Sequence, residues 1–284
     1  MATNVSSAFL TLFDAEVKQA YQGESVLAGT VRTRTEVGSS VVKFPKLAAA
    51  QASERTPGAE VTAVNASFSQ ASVTLKDWSA SEYSDIFNQA KVNFDERSEL
   101  AEMLGKSIAR RQDQLILDAM LAASAGSTVA NTVVTSGSAS ASDLNVGKII
   151  AAGKALSAKN VPMTDRHLVI HANNMASLLG DERAVSSDFI QLQGLARGEI
   201  SQFAGFSIHM IGDRAEGGLN KDGSNDRTCF AYHTSAVGMA MGMAPKTEIN
   251  YVANRTSFLV TSMFSANALV IDTDGLVDVT CRES

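Results

Sequence analysis

Between Phe94 and Ala123, apolar residues fall at Leu100, Met103, Leu104, Ile108, Leu115, Ile116, Ala119 and Met120, the three-and-four spacing of one helix face. Asp95, Glu96 and Glu99 crowd the first turns and no proline interrupts the run. Start signal and absence of breakers together predict one unbroken amphipathic helix. About 28 residues at about 1.5 Å each would span roughly 42 Å. A compact globule of this chain length has a radius of gyration of roughly 19 Å. The helix would cross nearly all of it, so the pattern predicts an elongated subunit with a rod through it.

Upstream the pattern is different. Phe9, Leu10, Leu12 and Phe13 precede a helix-like run through Asp14, Val17 and Tyr21, but Gly23 and Gly29 interrupt it. Residues 1–34 therefore read as an arm that needs another surface to fold against. From Ser40, VVKFP and VTAVNASFSQASVTLKDW are rich in Val, Thr and Phe, and they flank a small, polar middle containing Pro57-Gly58. That predicts a long strand pair with a turn at its tip. Arms of about 12 residues would reach roughly 40 Å. A lone two-stranded ribbon is marginal in water, so this one too should lie on something else.

Downstream, Ser79 and Glu82 have capping-box spacing and predict a short helix through Ile86, Phe87 and Ala90 that leads into the rod. A Ser/Gly/Ala-rich loop after Ala123 marks a module boundary. Ser142 or Asp143 is expected to cap a helix over DLNVGKIIAAGKALSAK. A strand in NVPMTDRHLVIHA, a short helix in NMASLLGD and a strand pair in GEISQFAGFSIHMI, punctuated by Gly198 and Gly205, then make a separate α/β or α+β module. GDRAEGGLNKDGSNDR reads as an exposed polar loop of about 16 residues. CFAYHTSAVGMAMG returns to buried character, and roughly the last forty residues show strand-like alternation.

Composition sharpens this picture. The chain has 284 residues, 45% of them hydrophobic, enough for a substantial core. Only 19% are charged, so much of the surface is uncharged, as surfaces that meet other copies often are. A formal net charge of -6 without a Lys/Arg run argues against tight, non-specific nucleic-acid binding. Cys229 and Cys281 lack C-x-x-C spacing and read as buried free thiols in a reducing compartment. The N-terminus has no basic n-region, and no window is apolar enough to cross a bilayer, so a soluble, cytoplasmically made protein is expected.

No catalytic motif emerges. His167 and His171 lie in a strand-like context that separates them by roughly 13 Å, too far to share one ion. The stretch from Gly218 to Gly223 resembles part of a calcium loop but ends on Cys229 where a bidentate Glu is required. IDTDGLVD reads as strand, Asp-Gly turn and strand. No G-x-S-x-G, Walker loop, H-E-x-x-H or dinucleotide fingerprint is present, and Gly137-Ser138-Ala139-Ser140 lies in a biased loop. Arm, ribbon and rod all lack partners within the chain, and parts of that kind are normally buried between copies.

In order, FDAEVKQAYQGESVLAGTVRTRT, VVKFPKL, TPGAE and DIFNQAKVNFDERSELAEMLGKSIARRQDQLILDAM, then NVPMTDRHLVIHANNMASLL, GEISQFAGFSIHMI and FAYHTSAVGMAMG, the chain resembles the major capsid proteins of tailed bacteriophages, the Hong Kong 97-like fold. It is most similar to those of short-tailed podoviruses that encode their own RNA polymerase. Asp113 and Leu117 stand at the characteristic end of the spine helix. The resemblance implies an α+β fold with an N-terminal arm (1–34), an extended E-loop hairpin (35–80), a P-domain (81–130 and 243–267, spine helix about 94–123) and an A-domain (131–242 and 268–284). It implies hexamers and pentamers forming an icosahedral shell around double-stranded DNA, with no sequence-specific DNA binding, no membrane and no cofactor or metal. Portal protein and, optionally, a decoration protein are the further partners it implies, with assembly in the bacterial host cytoplasm.

Three departures from the family matter. The chain has no long charged N-terminal extension, so a separate scaffolding protein is expected, with unaided assembly the alternative. Some relatives cross-link an E-loop lysine to a neighbour's asparagine, but no lysine lies between Leu47 and Leu75, only Lys43, Lys46 and Lys76 near the base. Gly105 in mid-spine costs roughly 1 kcal/mol relative to alanine and is a hinge candidate, with close helix packing the alternative. Expected self-contacts are Arg55, Pro57, Gly58 and Glu60 at the ribbon tip, Phe44 at its base, and Glu99, Arg110 and Arg111 on the exposed spine, where plain solvation is the alternative. The rival functions are an encapsulin-like cargo compartment and a metal-dependent enzyme using the loop from Asp213 to Asp226.

Overall fold

The structure, a computed structural model, describes residues 23–35, 38–52, 54–58, 60, 63–91, 95–123, 125–134, 140–181 and 202–283. Most of the expected arm, Phe94, Gly137 to Ala139 and Gly198 fall outside them. The first half runs β1 (Arg32–Thr35), β2 (Val41–Leu47), β3 (Phe68–Thr74), β4 (Lys76–Asp85), α1 (Ile86–Gln89), α2 (Glu96–Ala122) and β5 (Ser127–Val129). The second runs α3 (Val146–Ala158), β6 (Arg166–His171), α4 (Ala172–Gly180), β7 (Gln202–Phe203), β8 (Phe206–Ile211), β9 (Asp226–His233), β10 (Val237–Val252), β11 (Ser257–Val270) and β12 (Leu276–Arg282).

The expected rod is α2, 27 residues long and hence roughly 40 Å. Asp95 caps it by accepting the Arg97 amide at 3.2 Å, and Glu96 and Glu99 in its first turn face the positive end of the helix dipole. Its stripe of Leu104, Ile108, Leu115, Ile116 and Met120 is buried against the sheet β1-β10-β11-β4. β10 and β11 form a long antiparallel pair, as the C-terminal alternation predicts, while β1 runs parallel to β10. Pro245 lies inside β10 without breaking it. The ladder to β1 has ended at Met241 and the register to β11 shifts between Met243 and Lys246, so the missing N–H is not needed there.

The other strands form a six-stranded sheet, β5-β12-β9-β6-β8-β7. This is the mixed module expected of the middle of the chain, but it is not sealed off. Ile116 and Met120 of α2, Met239 and Phe264 of the first sheet, and Phe230, Tyr232 and Val277 of the second belong to one buried cluster. The ribbon, β2 paired with β3, makes a separate sheet.

Two expected caps are corrected. Ser79 and Glu82 do not open a helix; they lie in β4, opposite Met263 and Val260 of β11, and the single helical turn of α1 starts only at Ile86, capped by Asp85. Trp78, Ala80 and Ser84 turn inward along β4 at the two-residue period of a strand, and pairing along ten residues outweighs one capping pattern. Nor do Ser142 or Asp143 cap α3. Asn145 does, accepting the Lys148 amide at 3.0 Å, because the Asp143 carboxylate is already bonded to Asn174 and Ser177 on α4. The polar loop is not free either. Gly217 donates its amide to Gln114 on α2 at 2.6 Å and Leu219 is buried.

The C-terminal end of β12 is held by a buried charge cluster. Glu283 accepts Arg227 Nε at 2.6 Å and Lys221 Nζ at 2.9 Å. Burial by itself would raise the Glu283 carboxyl, but the hydrogen bonds from Arg227 and Lys221 outweigh it and hold it down at about 2. A depressed acid stabilises the fold above its ordinary value of 4.5 and loses that contribution as the pH falls towards about 2. Glu283→Gln should therefore cost on the order of 3 kcal/mol at pH 7, and its urea midpoint should converge with that of the unmodified chain towards pH 2. Gly105 is exposed in an unbroken helix, and a Cβ built there meets nothing within 4 Å, which removes close packing within the chain as its reason. Gly105→Ala should stabilise the chain by about 1 kcal/mol, read as a rise in the urea midpoint.

Candidate self-assembly surfaces

The ribbon has two unlike parts. At its base Val42, Phe44 and Val73 are buried against Ala240, with Leu75, Leu269 and Ile271 around them. The Phe44 ring lies so close to β10 that a Cβ on Gly238 would sit 3.1 Å from it and 2.9 Å from Ile271; glycine is what admits the ring. Lys46 pairs with Asp272 at 2.7 Å, and Asn267 donates to the Thr74 carbonyl at 2.9 Å. Phe44, expected at a contact between copies, is therefore fully buried in its own chain.

The opposite holds at the far end. Leu47 and Phe68 face each other in the last rung of the ladder and are 57% and 79% exposed. The Ala48 amide still donates to the Ser67 carbonyl, and beyond it no strand is formed among the described residues. The ladder is thus seven residues long on each side, shorter than the predicted arms. Arg55, Pro57, Gly58 and Glu60 are all exposed at the tip, where Gly58 has φ +86 as its turn demands.

On the spine, Glu99, Arg110 and Arg111 are half-buried rather than open. For Arg111 the cause is tertiary. The polar loop folds over the middle of α2, where Arg111 bonds Glu216 at 3.2 Å and stacks 3.7 Å above the Trp78 ring. Half-buried Lys106 pairs with exposed Glu102 one turn away, and the Glu102 hydrogen bond holds the ammonium above its usual value. Outside the expected set, the free end of the first sheet carries Ile249 and Tyr251, 47% and 54% exposed, with Phe87 nearby in sequence to β4 at 67%. Tyr251 lies against Phe258 and Arg255 over Tyr83. Alternation in EINYV continues past the last buried position of β10, and that was the available signal for these residues.

The loop from Asp213 to Asp226 holds no converging ligands. Asp222 Oδ1 accepts the amides of Ser224 and Asp226, Asp226 pairs with Arg282, and Asp213 pairs with Arg227. Its carboxylates are already engaged by arginines and backbone. Among the described residues no group of three or more His, Cys, Asp or Glu could hold a metal ion, and no helix is long and apolar enough to cross a membrane. Cys229 and Cys281 are free and buried.

A family model described as phage capsid protein matches residues 5–283. The fold superimposes on the capsid of cyanophage P-SCSP1u with a TM-score of 0.76 at 18% identity, covering 100% of this chain and 96% of that one. The head of Helicobacter pylori bacteriophage KHP40 gives 0.75 at 12% identity, with 95% of each chain covered. Mycobacterium phage Che8 gives 0.67 at 17%, covering 95% and 96%. No curated protein is significantly similar in sequence. These likenesses do not favour the cargo-compartment alternative. A family match across nearly the whole sequence, on a Hong Kong 97-like fold, means that the chain belongs to the phage capsid proteins and is a structural shell component of the virion, not an enzyme.

Proposed function

We propose that copies of this chain close into hexamers and pentamers of an icosahedral shell around a double-stranded DNA genome, each ribbon lying over a neighbour. The observation that carries this is the split ribbon: a base locked to its own sheet by Phe44, and beyond it Leu47 and Phe68 projecting into solvent. Apolar area gains about 25 cal/mol per Å² when covered, and a rigidly based ribbon can cover its area only on another body. Such a contact joins unlike patches of two copies, so rotation closes it into rings. Many weak contacts then add through effective concentration.

In this reading Arg55, Pro57, Gly58 and Glu60 form the travelling tip, Glu99 and Arg110 belong to the spine that receives it, and Phe44 and Arg111 act within the chain by fixing base and spine. The units are an arm (1–34), an E-loop (35–80), a P-domain (81–130 and 243–267) and an A-domain (131–242 and 268–284). The shell is that of a short-tailed phage, assembled in the host cytoplasm on a separate scaffolding protein, with a portal protein and, optionally, a decoration protein. It encloses DNA without reading it, in keeping with a net charge of -6. Gly105, with open space around it, is the proposed hinge of the spine during maturation; assembly and expansion both unchanged in Gly105→Ala would end that role.

Electron microscopy of the purified protein, alone and co-expressed with the neighbouring phage genes, tests the shell directly. The double variant Leu47→Asp/Phe68→Lys should keep its circular dichroism and urea midpoint, since both side chains are exposed and opposite charges in one rung attract, yet yield no closed particles. Particles formed at the unmodified yield would remove the ribbon from the interface. Denaturing gels of boiled, reduced shells should show only the monomer band, because no lysine lies between Leu47 and Leu75; a ladder of high-mass bands would contradict this.

A further inference from the structure

His167 on β6 and His209 on β8 share one face of adjacent parallel strands, two register positions apart. Nδ1 of His167 lies 3.0 Å from Nε2 of His209, with ring centroids 5.1 Å apart. In the link between the rings one of these nitrogens carries the proton and donates, and the other accepts. His167 Nε2 also meets the Thr234 hydroxyl at 3.0 Å, and that hydroxyl lies 3.3 Å from the Asp165 carbonyl.

We propose that His167 and His209 form a proton-operated latch that holds β8 on β6 while the pair carries at most one added proton and weakens that hold when both rings are charged. The first proton can go to a ring nitrogen outside the link, which leaves the link between the rings intact and makes it charge-assisted. The second has only the accepting nitrogen of the link to occupy. It would set two N–H groups and two positive charges face to face across 3.0 Å. Other titratable groups act on the pair from the flanking elements. Asp165, in the turn before β6, favours charge on His167, and His233, at the end of β9, opposes it. The Tyr232 ring lies 5.7 Å from His167, but its hydroxyl is taken by Thr30. Burial lowers both imidazoles from 6.5. Bases depressed in this way stabilise the fold above their ordinary value and lose that contribution as the pH falls below it through the folded-state values.

The loosening would be local. Phe206, Ile208 and Ile211 keep β8 in the core, while β7, a two-residue strand, pairs among the described residues with β8 alone at the edge of the sheet, so loosening β8 loosens both. Because the latch lies within one chain, it stands or falls apart from the arrangement of copies in a shell. Hydrogen–deuterium exchange mass spectrometry on the full chain tests it, following the imidazole C2 positions and the β7–β8 amides from pH 8 to 4.5. His209→Gln is the companion variant, which keeps a side-chain N–H donor but cannot titrate. Two separated steps are expected for His167 and His209, the lower lying below the range of an ordinary imidazole. Intrinsic-rate-corrected protection of β8 should fall about tenfold across the lower step and stay unchanged in His209→Gln. Both rings titrating together at the ordinary value, or an equal loss of protection in His209→Gln, would overturn the latch. Should the variant fail to fold, the C2 titration of the unmodified chain decides by itself.

Discussion

Asp113 lies in the second half of the spine helix with no exposed surface, and its carboxylate draws three parts of the chain together. Ser25 Oγ donates to it at 2.8 Å, the amides of Val26 and Leu27 at 3.0 and 3.1 Å, and Arg214 at 3.3 Å. Taking a carboxylate out of water costs several kcal/mol unless donors replace the lost hydration. The four donors come from the segment before β1 and from the polar loop before β9. Withdrawing either leaves a buried charge short of partners, so helix, N-terminal segment and loop have to be in place together.

The path of the chain from there to the ribbon depends on that anchor. With residues 25–27 fixed, Leu27 and Val31 enter the core and the Thr30 hydroxyl meets Tyr232 in the second sheet. The chain is thereby aimed so that Arg32–Thr35 runs parallel to β10. The ribbon starts a few residues on, and its base docks across the same strand through Phe44 over Gly238. Its direction is thus inherited from the spine through a short series of packed contacts. A ribbon meant to meet another copy has to be stiffly aimed, because ordering a floppy one on contact would consume the free energy that the contact supplies.

Charge plays a smaller part than its inventory suggests. Lys106 with Glu102 and Lys246 with Glu248 are partly exposed pairs, and pairs of that kind contribute little. Among the enclosed charges, Asp113 on the spine and Glu283 with Arg227 at the end of β12 stand out. Both hold a terminal segment onto the body, one at each end of the described chain. Each joins residues far apart in sequence, 88 positions for Ser25 and Asp113 and 56 for Arg227 and Glu283.

The periodicities were legible because they are local. A stripe repeated over the 27 residues of α2, alternation through β10 and β11, and a Pro-Gly turn between two β-rich flanks each state their own conformation, and the exposure of Arg55, Pro57, Gly58 and Glu60 comes with that turn. Only the tertiary structure decided which surfaces remain open. Arg111 looks like a surface charge on the helix and is covered by Trp78 and Glu216, whereas Leu47 and Phe68 look like core and stand in solvent. Ser79 and Glu82 spell a cap and form a strand, because β11, a partner about 180 residues away, supplies a ladder that no local rule contains. The chain's own order of residues determines how each segment folds, while burial depends on which distant segments arrive, and that is settled by the summed packing of the whole molecule.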